Sequence, residues 1–264
     1  MMSRLSELFI RTRAENRAAL IGYLPAGFPT QEMSIKVIKA MIEGGVDAVE
    51  IGFPYSDPVM DGPIIQEAAE TARAAGITMK KTLEVVREVA TTGAPTLMMT
   101  YWNPIDRYGV ERYAEDFHAA GMEGVITPDL TIEEADEWLG LTDRLGMHPI
   151  FVVAPSTADE RLKLVAERCS GFIYAASTMG VTGARTTVSS AASTLVERLR
   201  KITDTPVCVG LGVSNGEQAA EVAKYADGVI VGSAFVKAVL ANPEDPLPGV
   251  RAVAEDLARG VRNR

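Results

Sequence analysis

The chain has 264 residues, 47% hydrophobic and 23% charged, with 26 basic against 35 acidic residues and a net charge of −9. That length suits one α/β barrel or two smaller domains, and the composition belongs to a folded chain with a substantial core. The acidity, with no basic stripe, argues against nucleic acid or anionic membranes as partners, and no run approaches the ~18 apolar residues of a membrane span.

The first residues, MMSRLSELFIRTRAENRAAL, carry charges throughout and lack the apolar stretch of a signal peptide. They predict an amphipathic helix over about 3–17 with Leu5, Leu8 and Phe9 on one face. Eight short apolar runs follow: AALIGYL (18–24), DAVEIG (47–52), PTLMMTY (95–101), GVITPD (124–129), PIFVVAP (149–155), GFIYAAS (171–177), PVCVGLG (206–212) and GVIVGSA (228–234). Continuous runs of this length, bounded by Gly, Pro or Asp, suit parallel strands covered on both faces.

Helical stretches separate them. Thr30 to Glu43 repeats Met33, Val37 and Met41 and stops at Gly44 and Gly45. Residues 63–92 read as two helices split at Gly76; Ile132 to Leu145 ends before Gly146, and Ala158 to Arg168 ends near Gly171. Ser214 to Tyr225 opens with Ser214 as N-cap and Glu217 three residues on, a capping-box spacing. From Asn242, three prolines precede Arg251 and a final helix. Eight strand–helix units without a compositional break predict a (β/α)8 TIM barrel, residues 1–264 forming one domain with an extra N-terminal helix and the barrel over about 18–262. An open doubly wound sheet is the alternative architecture.

In a barrel the chemistry sits in the loops after the strands. The loop after the second strand holds Glu50, a carboxylate at the end of an apolar run and therefore expected at the barrel mouth, and Asp61 in MDGP. A buried acid needs a partner or a task, and two acids in different environments suit proton transfer. Three glycine-rich stretches, MGVTGA (179–184), VGLGVSNGEQ (209–218) and VGSAF (231–235), follow adjacent late strands. Their backbone N–H groups suit a phosphate, which the global charge would repel. His118 and His148 have no ligand set around them and read as structural, so no metal is expected. Cys169 and Cys208 are too far apart for a disulfide framework and suit a reducing, cytoplasmic setting. The strand-flanking Lys201 and Lys237 lie in helical stretches, away from any Schiff-base position. Spacing alone reaches a barrel that binds a phosphorylated small molecule and uses carboxylate acid–base chemistry.

At these residues the chain resembles the tryptophan synthase alpha subunit family. The matching stretches are VEIGFPYSDPVMDGPIIQEA, MTYWNPIDRYG, GVITPDL, GFIYAASTMGVTGAR, VGLGVSNGEQ and ADGVIVGSA, in the family's order. The resemblance implies a lyase that splits indole-3-glycerol phosphate into indole and D-glyceraldehyde 3-phosphate. It assigns proton transfer to Glu50 and recognition of the indole N–H to Asp61. It places Tyr174 near the substrate, Tyr23 and Ile65 against the indole ring, Gly183, Gly212, Gly232 and Ser233 at the phosphate, and Thr182 in a closing lid. It implies no cofactor in this subunit, and a beta subunit that holds pyridoxal phosphate in an alpha2-beta2 heterotetramer, facing FPYSDP (53–58) and NPIDRYG (103–109). Pro25 and Phe28 in PAGFP, and Thr178, stand where many members have polar residues or an arginine near the site. The rivals are another phosphate-binding barrel that uses lysine or cysteine at strand ends, and a non-catalytic barrel that only activates a partner.

Overall fold

The structure, a computed structural model, describes residues 2–176, 190–210 and 212–263. Helix α1 (Arg4–Ala14) leads into β1 (Ala19–Pro25), α2 (Gln31–Glu43) and β2 (Ala48–Gly52), then α3 (Pro63–Ala74), α4 (Met79–Ala90) and β3 (Thr96–Met99). Next come α5 (Trp102–Tyr108), α6 (Val110–Ala119), β4 (Gly124–Ile126), α7 (Asp136–Leu145), β5 (His148–Ile150), β6 (Val152–Val153) and α8 (Asp159–Arg168). The chain continues through β7 (Ile173–Ala176), α9 (Ser190–Arg200), β8 (Val207–Gly210), α10 (Gly216–Ala223), β9 (Gly228–Val231), α11 (Ser233–Ala241) and α12 (Leu247–Arg262).

All strand pairs are parallel, in the order β5-β4-β3-β2-β1-β9-β8-β7-β6. Only Phe151 separates β5 from β6, so the two ends of that order are halves of one strand, and the sheet closes into a TIM barrel. The eight expected runs thus yield nine strand segments, because 149–155 breaks at Phe151: its first half pairs with β4 and its second with β7.

Local chemistry sets the helix ends. Ser3, Thr30 and Thr78 accept the backbone N–H of Ser6, Met33 and Lys81 at the starts of α1, α2 and α4. Pro63 opens α3, where its missing N–H costs nothing. Gly76, at φ +77°, turns the chain between α3 and α4 as its position suggested. Two expectations shift. The helix over Ile132 to Leu145 breaks at Ala135 into a 3-10 turn (Ile132–Glu134) and α7. Ile132, Ala135 and Trp138 are all buried at three-residue spacing, the repeat at which side chains of a 3-10 turn eclipse. The cap of α10 is Asn215 rather than Ser214: Asn215 Oδ1 accepts Gln218 N–H at 2.9 Å, and Gln218 Oε1 accepts Ser214 N–H at 2.8 Å. The reciprocal pair moves one residue along because Asn215 is the extended residue at the helix entry.

Strand parity divides the core. Leu20, Leu24, Val49, Ile51 and Met98 face outward into the layer shared with the helices. Ala19, Ile21, Ala48, Leu97, Ile126, Ile150, Cys208 and Ile230 face the barrel axis. Leu5, Leu8 and Phe9 of α1 join this inner group, so α1 plugs the end of the barrel from which the strands start. Charged pairs cluster at that end: Arg17 donates to both Asp47 oxygens at 2.7 and 2.9 Å, and Asp47 also accepts Leu20 N–H. His148 bridges Ser3 and Ser170 at 2.7 and 3.0 Å, a structural role, whereas His118 lies exposed near the end of α6. Leu8→Ala empties part of the plug and should lower the unfolding free energy by about 2–5 kcal/mol in urea denaturation.

Candidate active site

The site is a cavity at the C-terminal ends of the strands. Its walls bring together Tyr23, Glu50, Asp61, Ile65, Tyr174, Gly212, Gly232 and Ser233 from eight separate positions in the chain. Of the residues singled out by resemblance, Thr182 and Gly183 lie outside the described residues, as does Thr178. Met99, Val213 and Ile230 also line the cavity. Sequence reasoning passed over them, although Met99 and Ile230 share the inward parity of Leu97 and Gly228 two residues earlier on their strands.

Parity also places Glu50. On β2, Ala48 points to the axis while Val49 and Ile51 point to the helices, so Glu50 points inward, with Tyr23 as its neighbour on β1. As expected it lies at the cavity end of the barrel, in the cavity wall, but it is only 1% exposed there, and among the described residues neither carboxyl oxygen has a hydrogen-bond partner. The strand alternation fixes its direction. Asp61 hangs over it from the β2–α3 loop, 8% exposed, and Tyr101 donates its hydroxyl hydrogen to Asp61 Oδ1 at 3.4 Å.

The two acids titrate apart. Burial, and then the negative charge of Asp61, push Glu50 from 4.5 up to about 8. Burial raises Asp61 from 3.8 only to about 6, because the Tyr101 hydroxyl holds the anion. Between those values Glu50 carries a proton and Asp61 a charge, the division of labour that a paired acid and anion require.

Glycines make room for the tyrosines. A Cβ on Gly52 would lie 2.2 Å from the Tyr23 hydroxyl, and one on Gly232 would lie 2.9 Å from the Tyr23 ring. A Cβ on Gly210 would lie 2.1 Å from the Tyr174 hydroxyl. Gly212 has φ +97°, which a residue with a side chain would adopt only with strain. Gly232 precedes α11, whose nine residues begin with the buried Ser233 beside the cavity; Phe235 and Val236 donate their N–H groups to Gly232 O, which leaves the amides ahead of them at this helix start as the candidates for an anion. Phe28, expected near the site, is buried in the outer core between barrel and helices and does not line the cavity. Pro25 ends β1 opposite Gly52. Among the described residues no group of three or more His, Cys, Asp or Glu could hold a metal ion.

A model of the tryptophan synthase alpha chain family matches residues 9–261. A tryptophan synthase alpha chain of Thermobifida fusca is 54% identical, over 99% of this chain and 98% of its own length. One of Streptomyces coelicolor is 54% identical over 98% and 97%. Among solved structures, tryptophan synthase of Mycobacterium tuberculosis superposes with a TM-score of 0.94 at 50% identity, covering 99% of both chains. The tryptophan synthase subunit alpha of Legionella pneumophila retains 0.90 at 30% identity over the whole of both chains.

The raised value of Glu50 carries a stability cost with a defined sign. Below pH 4.5 the carboxyl is protonated folded and unfolded, and the cost vanishes; above about pH 8 it is charged in both and the cost is complete. Glu50→Gln should therefore stabilise the fold little at pH 4 and by several kcal/mol at pH 8.5, at roughly 1.4 kcal/mol per unit of displacement. Urea denaturation of both proteins at the two pH values checks this.

Proposed function

The chain belongs to the tryptophan synthase alpha chain family, and from that premise we propose how its cavity performs the family's reaction. The protein is a lyase that cleaves indole-3-glycerol phosphate to indole and D-glyceraldehyde 3-phosphate, a step in tryptophan biosynthesis, and it works with a β subunit. The observation that carries the assignment of roles is the pair of acids with separated proton affinities in one apolar cavity.

The bond to be broken joins indole carbon three to the glycerol chain. It breaks only after that ring carbon is protonated, because the ring can then take back the bonding electrons and recover aromaticity. Glu50, protonated at neutral pH, delivers this proton. Its carboxylate then removes the proton from the hydroxyl on the adjacent glycerol carbon. The C–C bond pair returns to the ring as the C=O of glyceraldehyde 3-phosphate forms, and Glu50 ends as it began. Protonation at carbon three puts positive charge on the ring nitrogen, and Asp61, anionic above about pH 6, accepts the N–H hydrogen bond that stabilises it.

Tyr23, Ile65 and Tyr174 all line the cavity, and in this reading Ile65 and Tyr23 contact the indole ring while Tyr174 lies near the substrate. The phosphate takes the backbone N–H groups at Gly212, Gly232 and Ser233; the phosphate role of Gly183 and the lid role of Thr182 fall on residues outside the described ones. Gly232 thus serves two ends, since its missing side chain also admits Tyr23.

The β subunit docks on residues 53–58 and 103–109. In support, Phe53, Tyr55, Asn103, Pro104, Arg107 and Tyr108 line one surface groove, which joins the two segments. The same reading gives an alpha2-beta2 heterotetramer with pyridoxal phosphate in the β subunit, no cofactor in this one, residues 1–264 as one domain, and a cytoplasmic setting. Among the described residues no helix is long and apolar enough to cross a membrane.

Glu50→Gln should abolish indole release while leaving the dissociation constant for indole-3-glycerol phosphate within about threefold, read by a coupled assay and by calorimetry. Turnover at the level of the unmodified protein would remove Glu50 from the proton-transfer role. For the unmodified enzyme, kcat/KM should form a bell, falling below about pH 6 as Asp61 protonates and above about pH 8 as Glu50 loses its proton.

A further inference from the structure

Tyr101, the residue before α5, takes no part in the reaction as described, yet it is buried and touches the Asp61 segment twice. Its hydroxyl oxygen accepts Met60 N–H at 3.2 Å, and its hydroxyl hydrogen points to Asp61 Oδ1 at 3.4 Å. One hydroxyl therefore binds both the backbone and the carboxylate of the same two-residue stretch. That stretch belongs to the connection between β2 and α3, which runs without helix or strand from Phe53 to Gly62 and has no ladder of its own to fix the Asp61 side chain. The phenol itself is fixed from behind. The Tyr55 ring lies against it at 5.4 Å between centroids and 35° between planes, and Asn103 Nδ2 donates to the Tyr55 hydroxyl at 2.7 Å.

We infer that Tyr101 is a positioning residue for Asp61: through its paired contacts to Met60 N–H and Asp61 Oδ1 it aims the carboxylate at the indole N–H. The inference rests on the indole-recognition role given to Asp61 above. Among the described residues, the titratable groups facing Asp61 are Tyr101, Glu50 on β2, Tyr23 on β1 and Tyr174 on β7, and none is a cation. Tyr101 is then the donor among them whose removal leaves the anion less supported, and the consequence has a sign. Without the hydroxyl, Asp61 keeps its proton to higher pH, and the acid side of the activity bell moves upward.

The test compares the full chain with Tyr101→Phe, Asp61→Asn and the double variant, in the presence of the β partner, measuring kcat/KM for indole-3-glycerol phosphate from pH 5 to 9. Thermal unfolding confirms that each variant is folded. Tyr101→Phe should lose about tenfold at pH 6.5, recover most of that loss by pH 8, and lose nothing further when Asp61 is already Asn. A Tyr101→Phe profile that overlays the unmodified one, or a loss that persists in the Asp61→Asn background, overturns the positioning role while leaving Asp61 in place. If Asp61→Asn itself cleaves at the unmodified rate, the indole-recognition role falls, and the positioning role falls with it. Should Tyr101→Phe unfold early, Tyr101→Trp in the same series gives the same decision through its pH profile.

Discussion

The structure turns on a carboxyl group that its own strand directs into the barrel. Closing a parallel sheet into a ring gives every strand an inner and an outer face, both shielded from water. Val49 and Ile51 take the outer face of β2, and the two-residue alternation leaves Glu50 no choice but the inner one. Without a hydrogen-bond partner among the described residues, the group avoids the full cost of a buried charge by holding its proton. The same desolvation that penalises the fold supplies a proton donor at neutral pH. Asp61 deepens the effect, since its anion opposes ionisation of Glu50, while Tyr101 keeps Asp61 itself in a lower range.

The two ends of the barrel solve different problems. At the end where the strands begin, α1 drives Leu5, Leu8 and Phe9 into the axis, and ion pairs such as Arg17 with Asp47 and Arg4 with Glu123 join α1 and the connections that lead into the strands. Those contacts favour rigidity and carry no cavity chemistry. At the opposite end the strands finish in glycine: Gly52 at the end of β2, Gly210 at the end of β8 and Gly232 after β9. There the missing side chains admit the Tyr23 and Tyr174 rings and let backbone amides face the cavity. Packing and ligand binding thus impose the same residue for separate reasons.

Much of this was legible in order and spacing. The apolar runs named the strands, Thr30 and Gly76 marked helix boundaries, and Glu50 with Asp61 stood out as acids in surroundings that do not favour acids. Other features were hidden for identifiable reasons. The break at Phe151 depends on which neighbour each half of the strand pairs with, which is long-range information. The 3-10 turn at Ile132 and the cap at Asn215 depend on which face is buried and which residue is extended at the entry. Phe28 looked like a replacement near the site, but its ring belongs to the outer core.

The sequence by itself determined that this is a barrel with a pair of acids after its second strand and glycine-rich loops after its last ones, because periodicity and turn chemistry are local properties. Only the tertiary structure decided that Glu50 is buried in the cavity wall without a hydrogen-bond partner among the described residues, that Asp61 is held by a tyrosine 40 residues away, and that Tyr23 and Tyr174 occupy the space left by glycines on other strands. Desolvation and hydrogen bonding act through space, and a proton's affinity for a carboxyl is set by neighbours that the chain brings together only when the ring has closed.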